Sequence, residues 1–201
     1  MSTEIAQAWV RVESWLERNA PASHRSLRAP ASAYDIDRAA AHLPIHGDLR
    51  TLLTLHDGVE DYQVEGDEQG EVNPAGWLPE GCEWLPLDRM LGLPAVALVG
   101  GPRPRWAPWA VPGDGETGFG VDGDTGQIVR FPDEGGAPEG VLFPPFRSVA
   151  DYLTAVFQAL ESGTGPLMTR DDVPGLALGC LLWENPERVS LHEVEWRPLH
   201  G

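Results

Sequence analysis

Residues 106–131, WAPWAVPGDGETGFGVDGDTGQIVRF, alternate short apolar segments with tight turns. The pattern predicts three strands, over Trp106–Val111, Gly118–Val121 and Gln127–Phe131, because glycine and aspartate clusters separate the apolar segments. The turns at Gly113–Gly115 and Asp122–Gly126 are short enough to join antiparallel neighbours. The stretch therefore predicts an antiparallel meander. Since Trp106 and Trp109 would point to opposite faces of a regular strand, we expect one of them to be exposed.

Helical patterns lie on both sides of this meander. Apolar residues recur at helical spacing over residues 3–18, from Ser32 to Leu43-Pro44, from Gly47 to Asp57-Gly58, and after Ser148. Ser32 and Ser148 are of the residue type that caps helix N-termini. Helices, then a meander, then a closing helix is the element order of an α+β fold.

The remaining segments have less regular patterns. Residues 59–76 are acidic and turn-rich, which predicts an exposed loop, and Trp84–Leu87 is a short apolar segment that predicts a strand. After a break at Gly163–Pro166, an apolar run at 176–183 and a strand-like pattern at 189–196 follow. These are too apolar for a free tail, so we expect a domain over residues 1–161 and a C-terminal extension, 162–201, that packs back onto it.

The charge is strongly uneven along the chain. Fourteen arginines and no lysine oppose 31 acidic residues, for a net charge of −17. Residues 1–56 hold six acids and six arginines, whereas Asp57–Asp88 holds ten acids and no arginine. Such a surface repels nucleic acid and anionic membranes, and it favours salt-sensitive association with a basic partner. The alternative is that the acidity serves solubility alone.

No pattern of catalytic or metal-binding residues stands out. Cys82 and Cys180 are too few for a disulfide framework or a four-cysteine zinc site, and the acidic neighbours of Cys82 disfavour a reactive thiol. Asp122 and Asp124 begin a calcium-like spacing, but the glycine is displaced and the fifth-position ligand is missing. We therefore expect no enzyme activity, no cofactor and no metal. A metal enzyme using Asp122 and Asp124 is the weaker alternative.

Three features that the sequence lacks or uses sparingly predict where in the cell the protein is found. The first residues, Met1-Ser-Thr-Glu-Ile, lack the basic start of a signal peptide, and no window approaches about 18 consecutive apolar residues. The sparse use of cysteine is typical of reducing compartments. Together these features predict a cytoplasmic protein.

A series of short motifs follows one another in an order that is similar to a known family. The motifs are Trp15-Leu16, Ala31-Ser32 with Ile36, Leu43-Pro44 with Leu49 and Leu52-Leu53, His56-Asp57-Gly58, Trp84–Leu87, Gly118–Val129, and Ser148 with Tyr152-Leu153. In this order they resemble the SMI1/KNR4 family of the SUKH superfamily, over about residues 9–160. The resemblance implies that helices pack around a central antiparallel sheet.

The resemblance also implies a function. Many bacterial members of the family look like immunity proteins that neutralise a cognate toxin domain, often a nuclease, while fungal relatives act as regulatory scaffolds. It implies neither catalysis nor a cofactor. We therefore predict a partner-binding surface made of the acidic segment, the acidic hairpin turns and one exposed tryptophan: Asp57, Glu60, Asp61, Glu65, Asp67, Glu68, Glu71, Trp77, Asp114, Glu116, Asp122 and Asp124. The alternative is a scaffold protein with an endogenous partner.

Overall fold

The structure is a computed structural model that describes residues 3–66, 71–93, 105–113, 118–131, 146–169, 172–187 and 195–200. Its helices are α1 (Thr3–Asn19), α2 (Pro21–Arg25), α3 (Ala33–Ala40), α4 (Gly47–Leu53), α5 (Leu87–Gly92) and α6 (Val149–Ser162). Its strands are β1 (Val64–Glu65), β2 (Glu71–Val72), β3 (Glu83–Trp84), β4 (Trp106–Val111), β5 (Gly118–Asp122), β6 (Ile128–Phe131), β7 (Val173–Ala177), β8 (Cys180–Glu184) and β9 (Arg197–Pro198). The α+β class predicted from the element order is confirmed.

The central sheet contains four antiparallel strands in the order β3-β4-β5-β6. Its last three strands are the predicted meander. The register between β4 and β5 shifts between Pro108 and Ala110, and every residue of β4 is buried. Trp106 and Trp109 are only 5% and 1% exposed, so the expectation that one of them is exposed is wrong. The physical reason is that the sheet is covered on both faces.

Helices cover this sheet through aromatic contacts. The ring of Tyr152 in α6 lies 5.2 Å from that of Trp109 in β4, in an edge-on arrangement. The ring of Trp9 in α1 lies 5.2 Å from that of Trp84 in β3. The start of α6 is capped as predicted, because Ser148 Oγ accepts a hydrogen bond from the Asp151 backbone N–H at 3.1 Å.

Two predictions for residues 59–92 are corrected. Residues 59–76 contain the two-stranded hairpin β1–β2, and Val59 and Ala75 within them are buried, so the segment is not an exposed loop throughout. The strand predicted over Trp84–Leu87 ends at Trp84, and Leu87 begins α5. The reason is that the Leu87 backbone N–H donates to the Asp57 carboxylate at 2.9 Å, which satisfies a free donor of the first helical turn.

The C-terminal residues form a second antiparallel sheet, with strand order β8-β7-β9. The Ala22 backbone N–H in α2 donates to the Gly179 carbonyl at 2.9 Å, in the turn between β7 and β8. Leu181 N–H donates to Ser23 Oγ at 3.0 Å, so the sheet is bonded to the N-terminal helices. Of the strand-like pattern predicted over 189–196, residues 189–194 lie outside the described residues, and Trp196 is buried.

Candidate functional site

The hairpin β1–β2 and the residues that lead into it carry several exposed acids. We use the name acidic hairpin for residues 60–65 and 71–72. Tyr62 anchors it, because its hydroxyl donates to the Ala22 carbonyl at 2.8 Å. Val64 and Val72 belong to a small apolar cluster with Cys180 and Trp196 of the C-terminal segment. The hairpin therefore rests with its apolar side on the C-terminal sheet.

Four acidic side chains of this hairpin are exposed to solvent. Glu60, Asp61, Glu65 and Glu71 are exposed, and none of them forms an ion pair within the part of the chain that the structure describes. Glu65 and Glu71 are directly opposite each other in the strand register. Like charges in such a cross-strand pair are destabilising, so the hairpin concentrates negative charge that no ion pair among the described residues neutralises.

Asp57, at the start of the acidic segment, has a different environment. Its side chain is 18% exposed and lies 3.9 Å from the Arg28 guanidinium, which also pairs with Asp88 at 3.3 Å. Its carboxylate accepts the hydrogen bond from Leu87 N–H that begins α5. Asp57 therefore serves the local structure, and we leave it out of the binding surface.

The acids of the β5–β6 turn also have local partners. The Asp122 carboxylate accepts hydrogen bonds from the backbone N–H groups of Asp124 and Thr125, at 3.0 and 2.8 Å, and from Thr125 Oγ1 at 2.9 Å. Burial acts to raise the pKa of Asp122, but these hydrogen bonds outweigh it and lower the pKa below its usual value. Asp124 is exposed and pairs with Arg105 at 3.4 Å. Asp122 is thus a turn-forming residue.

The acidic hairpin and the β5–β6 turn contact different parts of the chain. Gly126 of the turn lies against the ring of His46, before α4, whereas the hairpin rests on Ala22 and Cys180. The two regions are therefore held by different parts of the chain. The other predicted surface acids, Asp67, Glu68, Asp114 and Glu116, lie outside the described residues.

Trp77 lies in the main core. Its side chain is 1% exposed, its ring centroid lies 6.0 Å from that of Trp9, and its backbone carbonyl accepts a hydrogen bond from Trp183 Nε1 at 3.0 Å. The prediction that Trp77 is an exposed binding residue is therefore wrong. The physical reason is that the indole packs against Trp9 of α1 in the main core, which also contains Trp183 of β8.

A cluster of charged side chains that sequence reasoning missed lies next to the start of the C-terminal sheet. The carboxylate of Asp172 accepts a hydrogen bond from the Glu80 backbone N–H at 3.3 Å, and Glu80 pairs with Arg130 at 2.6 Å. Burial raises the pKa of Asp172 to about 6, and the nearby carboxylates of Glu80 and Glu184 add to this. Ninety-two positions separate Glu80 from Asp172, so no local pattern could have shown the pair.

The two thiols and His56 are held in structural roles. Burial raises the pKa of Cys180 to about 11 and, with the adjacent Glu80 carboxylate, raises that of Cys82 as well. Both thiols are therefore protonated at neutral pH and are poor nucleophiles. The ring of His56 is hydrogen-bonded at both nitrogens, to Glu13 and to a backbone carbonyl. Within the described ranges, no group of three or more His, Cys, Asp and Glu side chains could hold a metal ion.

Comparison with known proteins leaves the family open. No protein-family profile and no curated protein sequence matches this chain. The resemblance to the SMI1/KNR4 family therefore stays a prediction that rests on the motifs quoted above. Among the residues that the structure describes, no helix has both the length and the apolar character needed to cross a bilayer.

Proposed function

We propose that this chain is a non-catalytic protein-binding module, an immunity protein that binds and neutralises a basic bacterial toxin domain in the cytoplasm. The observation that carries the proposal is the acidic hairpin. Its four exposed carboxylates, Glu60, Asp61, Glu65 and Glu71, have no ion pair among the described residues. The toxin class, for which a basic nuclease is the leading candidate, comes from the resemblance and from the sign of the charge.

The hairpin is suited to binding because it is formed before a partner arrives. Tyr62, Val64 and Val72 hold it against α2 and the C-terminal sheet, so a partner need not order it on binding. An arginine or lysine placed between Glu65 and Glu71 would replace their mutual repulsion by attraction. The net charge of −17 would add long-range steering that accelerates the encounter with a basic protein.

The first experiment identifies the partner. The full chain, tagged and expressed in its native host, is captured at low and at high salt, and the proteins that co-purify are identified. A basic toxin-like protein that is released by salt supports the proposal. Recovery of an endogenous regulatory protein instead would favour the scaffold alternative, in which the same hairpin binds a different partner.

The second experiment tests the surface with two matched triple variants. One carries Glu60→Gln, Glu65→Gln and Glu71→Gln. The control carries Glu4→Gln, Glu17→Gln and Glu161→Gln, three exposed glutamates of α1 and α6 that also have no ion pair within the described ranges. Both variants lower the net negative charge by the same amount, so they differ only in where the charge is removed.

The readout is the association rate constant with the captured partner as a function of ionic strength. We expect the hairpin variant to associate about ten times more slowly at low salt and to show a flatter salt dependence, because local charge steers the encounter. The control variant keeps most of the wild-type rate. Equal rates for the two variants would show that the hairpin is not the contact surface.

A further inference from the structure

A small cavity lies where α6, β5 and the segment before β7 meet. Its volume is about 20 Å³. The lining is mostly apolar and includes a few polar groups: Pro79, Glu80, Phe119, Tyr152, Pro166, Leu167, Thr169 and Asp172. Tyr152 and Asp172 belong to different parts of the chain, since the first lies in the closing helix and the second directly precedes the C-terminal sheet.

The hydroxyl of Tyr152 is an unsatisfied polar group at this cavity. The side chain is 1% exposed, and its hydroxyl has no hydrogen-bond partner among the described residues. Aromatic neighbours surround the ring, and the rings of Trp109 and Phe146 lie 5.2 and 5.1 Å from it. A buried hydroxyl without a partner loses its hydrogen bonds to water and gains none in return, so one that persists in a folded core needs an explanation.

The carboxylate of Asp172 offers the complementary group. One of its oxygens accepts the hydrogen bond from Glu80 N–H, and a carboxylate has further acceptor sites. Asp172 forms no ion pair with an arginine or histidine side chain among the described residues, and Arg130 pairs with Glu80. The lining of the cavity therefore includes an unused donor, the Tyr152 hydroxyl, and unused acceptor capacity on the Asp172 carboxylate.

The size of the cavity determines what can join these groups. A water molecule needs about 10–15 Å³ measured as space for its centre, and it needs two to four polar partners. The cavity of about 20 Å³ meets the first requirement for one water, and the groups of Tyr152 and Asp172 meet the second. We propose that this cavity is a binding site for a single structural water, which bridges the Tyr152 hydroxyl and the Asp172 carboxylate.

The bridge has a structural consequence for the C-terminal extension. The bridge connects α6 to Asp172, the residue that precedes β7. Asp172 also accepts a hydrogen bond from the backbone of Glu80, which has a left-handed conformation with φ of 62°. A side chain other than glycine in this conformation is strained. The water site is thus part of the junction between the C-terminal sheet and α6.

The variant Tyr152→Phe tests the proposal by the sign of its effect on thermal stability. If the water is present, removing the hydroxyl takes away one of its partners, and we expect the unfolding midpoint to fall by about 2–5 °C. If the Tyr152 hydroxyl has no partner, the substitution removes a buried polar group that makes no hydrogen bond, and the unfolding midpoint rises. Tyr34→Phe is the matched control, because Tyr34 is 74% exposed.

Two further measurements exclude other sources of the same effect. In an Asp172→Ala background, Tyr152→Phe should lower the midpoint by less than half as much as in the wild type, because the bridge has already lost its other end. A crystal structure of the wild-type chain should show a density peak within about 3.2 Å of both side-chain oxygens. A rise of the midpoint, equal effects in the two backgrounds, or a direct contact between the oxygens would each overturn the proposal.

Discussion

The substitution Asp172→Asn should stabilise the protein at neutral pH. Burial holds the pKa of Asp172 at about 6 in the folded chain, whereas the same carboxyl in an unfolded chain has a pKa of about 3.9. Asparagine has nearly the same shape, and its carbonyl oxygen can still accept the hydrogen bond from Glu80 N–H. The variant therefore removes the charge and retains the contact.

The magnitude and the pH window follow from the two pKa values. Between roughly pH 4 and pH 6 the folded chain binds more protons than the unfolded chain, so the contribution of Asp172 to stability falls as the pH rises through this window. Above about pH 6 the loss is complete. The difference between the pKa values corresponds to about 3 kcal/mol, and solvent around this partly buried carboxyl reduces it to about 2 kcal/mol.

The assay is thermal unfolding of wild type and Asp172→Asn from pH 4 to pH 8. For a chain of 201 residues, about 2 kcal/mol raises the midpoint by about 4–8 °C at pH 7.5. The gain should shrink to nearly zero at about pH 4. Asp61→Asn is the control, since Asp61 is exposed and its substitution changes the net charge equally. A gain that is independent of pH, or a loss at pH 7.5, would refute the reasoning.

Two further substitutions test the packing and the buried charge. Gly175→Ala would place a Cβ atom against the ring of Trp196, closer than van der Waals contact allows, so we expect a loss of about 2–3 kcal/mol in chemical denaturation and a shift in the Trp fluorescence. Gly47→Ala, with open space around it, should cost less than about 1 kcal/mol. Arg89→Met removes the cation that lies 2.6 Å from Glu83, whose side chain is only 5% exposed. We expect the free energy of unfolding at pH 7 to fall by about 3 kcal/mol, because the buried carboxylate loses its partner. Part of this loss should be recovered when Glu83 is also changed to Gln.

Much of the local structure could be predicted because its causes are local in the sequence. Ser32 and Ser148 cap helices through bonds to backbone N–H groups three residues away, and the aspartate- and glycine-rich turn after β5 closes through the Asp122 side chain. Apolar spacing identified α1 and the meander strands. The α+β class follows from the order of these elements alone.

The candidate site was only partly predictable for the same reason. Charge counting located the acidic segment, and Glu60 and Glu65 are exposed there as expected. Composition could not show that Asp57 accepts a hydrogen bond from the first residue of α5, or that Trp77 is buried with its backbone carbonyl bonded to Trp183. These outcomes depend on partners 30 and 106 positions away in the chain.

The sequence by itself determined the α+β class, the caps and turns, and the excess of negative charge after residue 56, because each depends on neighbouring residues or on composition. Only the tertiary structure decided which acids remain unpaired, which tryptophans are buried and where the C-terminal segment attaches. The Asp172 carboxyl is an example, since burial between two distant segments raises its pKa even though the hydrogen bond from Glu80 N–H lowers it. Burial and long-range pairing depend on which surfaces meet in the folded chain, and no short stretch of sequence contains that information.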